Sequence, residues 1–224
     1  MRTGTRSEML ADLAEAIGSV ALGHPTRVAI DGPPGAGKTT LADELAALLR
    51  GSGRHVIRAT IEGFLAPERE RYRQGELSPV GCYDDNHDHG AINRVLLDPL
   101  GPGGSRRFKE AIYDRTTDAA LHLPVRTAPA DAVLLFDGVF LQRSELFDRW
   151  DLRIFVAVAA EETIARAVIR ERRSASAVAI ERRWRERYIP SQQFYFAKDR
   201  PAENADIVVQ NDDLRHPTWE ARTR

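Results

Sequence analysis

The chain is poor in cysteine, methionine and aromatic residues and carries almost no net charge. Its single cysteine, Cys82, has no partner for an internal disulfide, which fits a reducing compartment. No stretch is long and apolar enough to span a bilayer. The opening residues, Met1-Arg2-Thr3-Gly4-Thr5-Arg6, lack the apolar core of a secretory leader. The cytoplasm is therefore the expected location. A formal charge of -1 gives no overall pull toward nucleic acid or an anionic membrane, so any basic site must be local. Internal repeats and low-complexity tracts are missing as well. With 42% hydrophobic and 29% charged residues, the composition is not that of a disordered chain. At 224 residues the length suits one α/β domain with a sizeable core, taken here as 1–224.

What is present is one highly organised stretch. The apolar run Arg27-Val28-Ala29-Ile30-Asp31 ends in Gly32-Pro33-Pro34-Gly35-Ala36-Gly37-Lys38-Thr39-Thr40. Residues 41–49 then follow with a helical pattern. Gly32 to Thr39 fit the spacing G-x-x-x-x-G-K-[ST] of a nucleotide triphosphate loop. Glycine lets the backbone take angles, and approach a ligand, in ways that a side chain would block. The freed N–H groups form a concavity for phosphate oxygens, and the following helix adds its positive end. Lys38 is expected to reach the β- and γ-phosphates and Thr39 to ligate Mg²⁺. The competing reading is a chance Gly-rich turn, but the strand before and the helix after supply the required context.

Met9, Leu10, Leu13, Ile17 and Val20 recur at helical spacing, which predicts a helix within 1–24, N-capped by Ser7 and ended by Gly23-His24-Pro25. Strands are expected at 27–31, 55–61, 132–137, 152–158 and, last, 207–209. Residues 67–73 suit one or two helical turns. Residues 75–90 read as a loop, and 91–100 as a helix. The partial alternation of 108–113 and 121–126 suggests a hairpin or an edge pair. Residues 161–188 read as helical with a break near Ser174-Ala175-Ser176. Strands alternating with helices argue for a mostly parallel sheet covered on both faces, with ligands beyond the carboxyl ends of its strands.

Asp137 ends the run Leu134-Leu135-Phe136, where a carboxylate suits the Mg²⁺-holding acid of phosphate-loop proteins. It is also compatible with a plain strand-terminal Asp before Gly138. Many hydrolysing ATPases carry a glutamate at that next position to orient water, so Gly138 favours transfer to a bound acceptor. Glu62, at the end of the second strand, suits a base for an attacking hydroxyl, or else a surface acid. Arg166, Arg170 and Arg173 share one helix face. Positive charge there would stabilise a transferring phosphoryl group, although many arginines between 166 and 187 suit a solvated face paired with the interleaved glutamates. That interleaving argues against a nucleic-acid surface. The cluster Tyr83-Asp84-Asp85-Asn86-His87-Asp88-His89 has ligand types without metal-site spacing, and reads as a substrate-facing or a solvated loop. Cys82 is expected to be inert, and Trp150, Trp184 and Trp219 to be packing residues.

On these residues the chain, from about Arg27 to Gln210, resembles the uridine kinase and phosphoribulokinase family of phosphate-loop kinases. Glu62-Gly63-Phe64-Leu65 stands where the family has an acidic D-S-F-Y-like motif, whose Asp is the general base. Tyr83-Asp84-Asp85-Asn86 resembles a Phe-Asp-His-Pro stretch, which implies Asp84 at a sugar-hydroxyl contact. Tyr113-Asp114 is similar to the Tyr-Asp of a base-recognising segment. Phe136-Asp137-Gly138 resembles the Phe-Glu-Gly metal motif. Val168-Ile169-Arg170-Glu171 resembles the lid, which implies that Arg170 touches phosphate. Arg187-Tyr188-Ile189-Pro190 and residues 204–209 resemble the closing segment. Where the nucleoside kinases of the family carry an aromatic residue and a histidine after Tyr-Asp, this chain carries Arg115 and Asp118, and Arg115 suits an acceptor with a carboxylate or phosphate.

The resemblance implies a P-loop three-layer α/β/α sandwich with a mostly parallel sheet, an acceptor-binding region at 62–127 and a short helical lid at 166–190. It implies an ATP- or GTP-dependent kinase with Mg²⁺, with the loop residues 32–40 and Arg166, Arg170 and Arg173 on the nucleotide. Thr39 and Asp137 are then expected on the metal, Glu62 as base, and Glu62, Phe64, Tyr83, Asp84, Tyr113 and Arg115 around the acceptor. The leading acceptor is a uridine- or cytidine-like nucleoside. Another small alcohol, such as pantothenate, a sugar or a sugar phosphate, is second. A switch NTPase without a small acceptor is the reading from another class. No nucleic acid or membrane partner is expected, and a homo-oligomer is left open.

Overall fold

The computed structural model describes residues 1–222. In chain order the strands are β1 (Arg2–Thr3), β2 (Thr26–Asp31), β3 (Val56–Thr60), β4 (Arg107–Phe108), β5 (Tyr113–Asp114), β6 (Ala119–Ala120), β7 (Arg126–Thr127), β8 (Val133–Gly138), β9 (Leu152–Ala157), β10 (Ile207–Gln210) and β11 (Thr218–Ala221). The helices are α1 (Arg6–Ser19), α2 (Lys38–Gly51), α3 (Glu68–Arg71), α4 (Pro79–Asp84), α5 (His89–Ile92), α6 (Asp98–Leu100), α7 (Ala160–Glu171), α8 (Ala177–Arg183), α9 (Ile189–Asp199) and α10 (Pro201–Asn204).

Seven strands form one sheet in the order β1-β11-β10-β9-β2-β8-β3. The run from β10 to β3 is parallel, and β11 and β1 add an antiparallel edge. Successive strand residues point to opposite faces, and both faces are covered. Val28, Ile30, Val133 and Leu135 pack with Met9, Leu13, Leu41 and Leu45 of α1 and α2. Ala29, Leu134 and Phe136 pack the other way, against Phe64, Leu96, Leu97 and Phe108. The chain is thus a three-layer α/β/α sandwich, as the alternating pattern predicts.

Several local expectations are corrected. Thr5, not Ser7, caps α1: its side chain accepts from Glu8 N while Glu8 reaches back to Thr5 N, so two exposed donors are satisfied reciprocally. The helix stops at Ser19, and 1–24 also contains β1. Residues 75–90 are not one loop. Ser78 caps α4, with Pro79 in its first turn, and Asp88 caps α5. The hairpin of 108–126 is two separate ladders, β4 with β7 and β5 with β6. β10 is not the last strand, since β11 follows it. The helical break does fall at 172–176, where Ser176 caps α8. Between α8 and α9 the helix widens into a π-type turn, Trp184–Tyr188.

Candidate active site

Strand β2 ends in a buried Asp31, and the chain turns through Gly32–Gly37 into α2. Two glycines are obligatory there. Gly32 has φ +149, and a Cβ on it would lie 2.3 Å from the Val156 carbonyl oxygen. Gly37 has φ +89, and a Cβ on it would lie 2.8 Å from Asn211 Nδ2. Asn211 Nδ2 in turn donates to the Ala36 carbonyl at 2.7 Å, so a residue far down the chain braces the loop. Lys38 is buried, and its Nζ donates to the Pro33 carbonyl at 2.8 Å, within the loop and outside any salt link. Burial pushes the Lys38 ammonium down to about 8, while Asp31, Asp137 and Glu62 pull it back up.

Thr39 Oγ1 donates to Asp137 Oδ2 at 2.6 Å, which joins the start of α2 to the end of β8. Arg58 of β3 donates to the other oxygen, Oδ1, at 2.8 Å. Sequence reading missed Arg58; a lone cation inside an apolar strand was the available signal. A hydroxyl and a carboxylate side by side are hard oxygen donors, the type that Mg²⁺ takes. Among the described residues no group of three or more His, Cys, Asp or Glu could hold a metal alone. The pair therefore fits a cation that fills its remaining positions from phosphate and water.

Behind the loop, Tyr195 Oη donates to Asp31 Oδ2 at 2.5 Å and accepts from Gln142 N at 2.9 Å. Asp31 Oδ1 accepts from Gly32 N at 2.7 Å. Burial raises the Asp31 carboxyl above its ordinary value, and the Tyr195 hydroxyl opposes this. Helix α9 is thereby tied to the first residue of the loop, a link with no sequence signal.

A cleft of about 920 Å³ opens beyond the carboxyl ends of β2, β3 and β8. Pro34, Gly35, Gly37, Lys38, Thr39, Thr40, Glu62, Arg115, Asp137, Arg166 and Arg170 all line it. Glu62 lies in the turn Ile61–Phe64 just past β3, exposed, with Arg115 Nη1 3.3 Å from its Oε2. Arg166 donates to the carbonyls of Gly35 at 3.4 Å, Asn211 at 2.7 Å and Asp212 at 2.9 Å. Arg170 is exposed on the cleft wall and pairs with Glu171 at 2.7 Å.

Within the loop Gly32, Pro33 and the buried Ala36 do not line the cleft, and outside it five further expected site residues are not brought there. Arg173 is exposed and does not line it. Phe64 is fully buried against Phe136, a core role that its place after β3 imposes. Tyr83 is buried in an aromatic cluster with Phe140 and Tyr195, and its hydroxyl donates to Asp199 at 2.6 Å. Asp84 and Tyr113 line a smaller hollow of about 460 Å³ on the other side of Leu65 and His87. The Tyr113 hydroxyl donates to Asp118. The cleft is also lined by Arg71, Tyr72, Cys82, His87, Trp184, Arg187 and Gln192. Of these the sequence singles out His87, in a loop read as substrate-facing or solvated, and Arg187, in the basic run and closing segment. Cys82 and Trp184 are expected from it to be inert and packing, and Arg71, Tyr72 and Gln192 carry no signal. Trp184 and Arg187 share the π-type turn, whose position no local propensity marks.

The model of the cytidylate kinase-like family matches residues 27–213. A uridine kinase of Brevibacillus brevis is 25% identical over 155 residues, 67% of this chain and 68% of that protein. The structure of a possible uridine kinase from Bacillus stearothermophilus superposes with a TM-score of 0.71 at 21% identity, covering 90% of this chain and 97% of that one. A D-glycerate 3-kinase from Cryptococcus neoformans superposes with a TM-score of 0.62 at 14% identity, covering 96% and 99%. The two structures share the fold with this chain.

Proposed function

The chain belongs to the cytidylate kinase-like family of P-loop kinases, and from that premise we propose that it transfers the γ-phosphoryl group of ATP to a hydroxyl of a small molecule. The observation that carries this reading is the make-up of one cleft. It has the glycine loop with Lys38 and the Thr39–Asp137 pair on one wall and Glu62 on another, within a volume that suits ligands of this size.

In this reading the loop amides and Lys38 bind the β- and γ-phosphates, and Arg166 and Arg170 cover them. Thr39 and Asp137 would hold Mg²⁺, which when bound neutralises phosphate charge. Glu62 accepts the proton as the acceptor oxygen bonds to the γ-phosphorus and the bond to ADP breaks. Arg115, 3.3 Å from Glu62, orients that carboxylate. A uridine- or cytidine-like nucleoside is the acceptor that the names of the relatives point to. A small acidic or sugar-derived alcohol is the second reading, supported by Arg115 and by the other cations on the cleft wall.

An ADP-release assay over nucleosides, sugars, sugar phosphates, hydroxy acids and pantothenate tests this. Turnover should stay near background until an alcohol is added. Steady hydrolysis of ATP or GTP without any acceptor would support a switch NTPase instead.

A further inference from the structure

One part of the cleft, built by α3, the segment 76–92 and the widened turn 184–188, is buried, polar and poorly paired. Arg187 is 2% exposed, and its guanidinium finds only neutral partners. These are the carbonyls of Glu76 at 2.8 Å and Ser78 at 3.3 Å, and Asn86 Oδ1 at 3.0 Å. Arg71 is 6% exposed, its Nη1 makes no hydrogen bond, and its nearest carboxylate, Asp118, lies 3.6 Å from Nη2. That carboxylate already accepts from Glu68 N and the Tyr113 hydroxyl. Both guanidiniums lie over the Tyr72 ring, at 5.8 and 5.0 Å.

The acids on the cleft wall are committed elsewhere. Glu171 pairs with Arg170 and Arg183, Glu62 with Arg115, and Asp137 with Arg58. Trp184 Nε1, both amide atoms of Gln192 and both ring nitrogens of His87 are buried without hydrogen bonds. His87 is held neutral by burial, reinforced by the nearby His89, Arg143, Arg71 and Arg187. A neutral imidazole donates once and accepts once, so the free atoms comprise more donors than acceptors. Among the described residues Arg187 is a desolvated cation with no carboxylate partner, and Arg71 has only the already committed Asp118 at 3.6 Å. Such cations are costly, and a neutral pyrimidine would bring no charge to them.

We propose that the acceptor carries a carboxylate or phosphate beside its hydroxyl, bound by Arg71, Arg187, Gln192 and the ring of His87. This rests on the kinase reading and takes its second, acidic acceptor over the nucleoside. It makes the acceptor an anionic alcohol, with Arg115 positioned to help steer it toward Glu62.

Two matched pairs test it on the full chain with Mg²⁺ and ATP: D-glycerate against glycerol, and ribose 5-phosphate against ribose, with uridine alongside. The charged member of at least one pair should show a KM about tenfold or more below its neutral partner, as expected for one charge-assisted contact. The responding pair identifies the anion. Arg71→Gln should remove that advantage, read as a rise in the KM of the charged alcohol towards that of its neutral partner, and Arg71→Lys should restore part of it. Gln192→Leu removes an amide that bonds to nothing in the protein, so it should fold normally and still raise the acceptor KM. Calorimetric titration of the charged alcohols into nucleotide-free protein separates failure modes. If they fail to bind, or if uridine is used at a lower KM than either charged alcohol, this assignment is wrong although the kinase reading stands. If they bind and ATP does not, the kinase reading is the one that fails.

Discussion

Thr39 and Asp137, 98 positions apart in sequence, are joined by a 2.6 Å hydrogen bond. Each satisfies the other, and Arg58 balances the carboxylate at 2.8 Å. Asp137→Asn should keep the hydrogen bond and lose the charge. The expected result is a fall in kcat of about 10²–10³, the scale seen when one electrostatic stabiliser is removed, together with a higher Mg²⁺ requirement. Chelation by EDTA should abolish turnover in the parent protein. Full activity of Asp137→Asn at low Mg²⁺ would remove Asp137 from the metal site.

If Lys38 holds the phosphates as proposed, it should set a pH limit on nucleotide affinity. Its ammonium is charged below about 8 and neutral above, because burial lowers it from the ordinary lysine range. Phosphate binding needs the charge, so affinity for ATP should decline as pH rises through that value. Binding near this pH should also take up a proton, since the bound phosphates favour the ammonium. Calorimetry in buffers of different ionisation enthalpy reads both effects. A pH-independent affinity across that range would mean that Lys38 does not hold the phosphates.

Glu62→Gln should depress phosphoryl transfer by roughly 10²–10⁴, the usual contribution of a positioned base, while ATP affinity changes little. Arg115→Met should raise the acceptor KM more than it lowers kcat. Steady-state kinetics with a working acceptor separate the two parameters. An unaltered kcat in Glu62→Gln would take that residue out of the reaction.

Tyr195→Phe deletes one hydroxyl that is shared by Asp31 and the Gln142 amide. Leaving a buried carboxylate short of a donor should cost about 1–3 kcal/mol of stability. The ordering of the loop should suffer too, since Asp31 also accepts from Gly32 N. Denaturant unfolding measures the first and the KM for ATP the second. If neither moves, the Tyr195–Asp31 bond contributes nothing to the loop.

The layers, the parallel sheet and the phosphate-type loop were legible because each rests on a local signal. β2 and β8 are continuous apolar runs buried on both faces, and the loop carries a fixed spacing of glycines. The far wall of the cleft was not legible. Tyr83 and Tyr113 are aromatic residues in loop-like sequence, yet aromatic area favours burial, and both are buried away from the cleft. Trp184 was read as packing, and it is buried, but on a cleft wall that only the widened turn creates. Arg187 and Gln192 lie in a charged helical stretch whose inward face depends on how α8 and α9 join. Side-chain direction across such a junction is a tertiary outcome, and helical periodicity does not carry it.

Asn211 holds Ala36 in place and fills the space beside Gly37, while the backbone of the same residue accepts from Arg166. The loop at 32–37 is thus finished by a residue 175 positions downstream of Ala36. A nascent chain can fold much of the sheet and still lack a formed nucleotide site, because closing so distant a contact comes late. Catalytic competence would then arrive only once residue 211 is in place, and products truncated before it would be idle toward ATP.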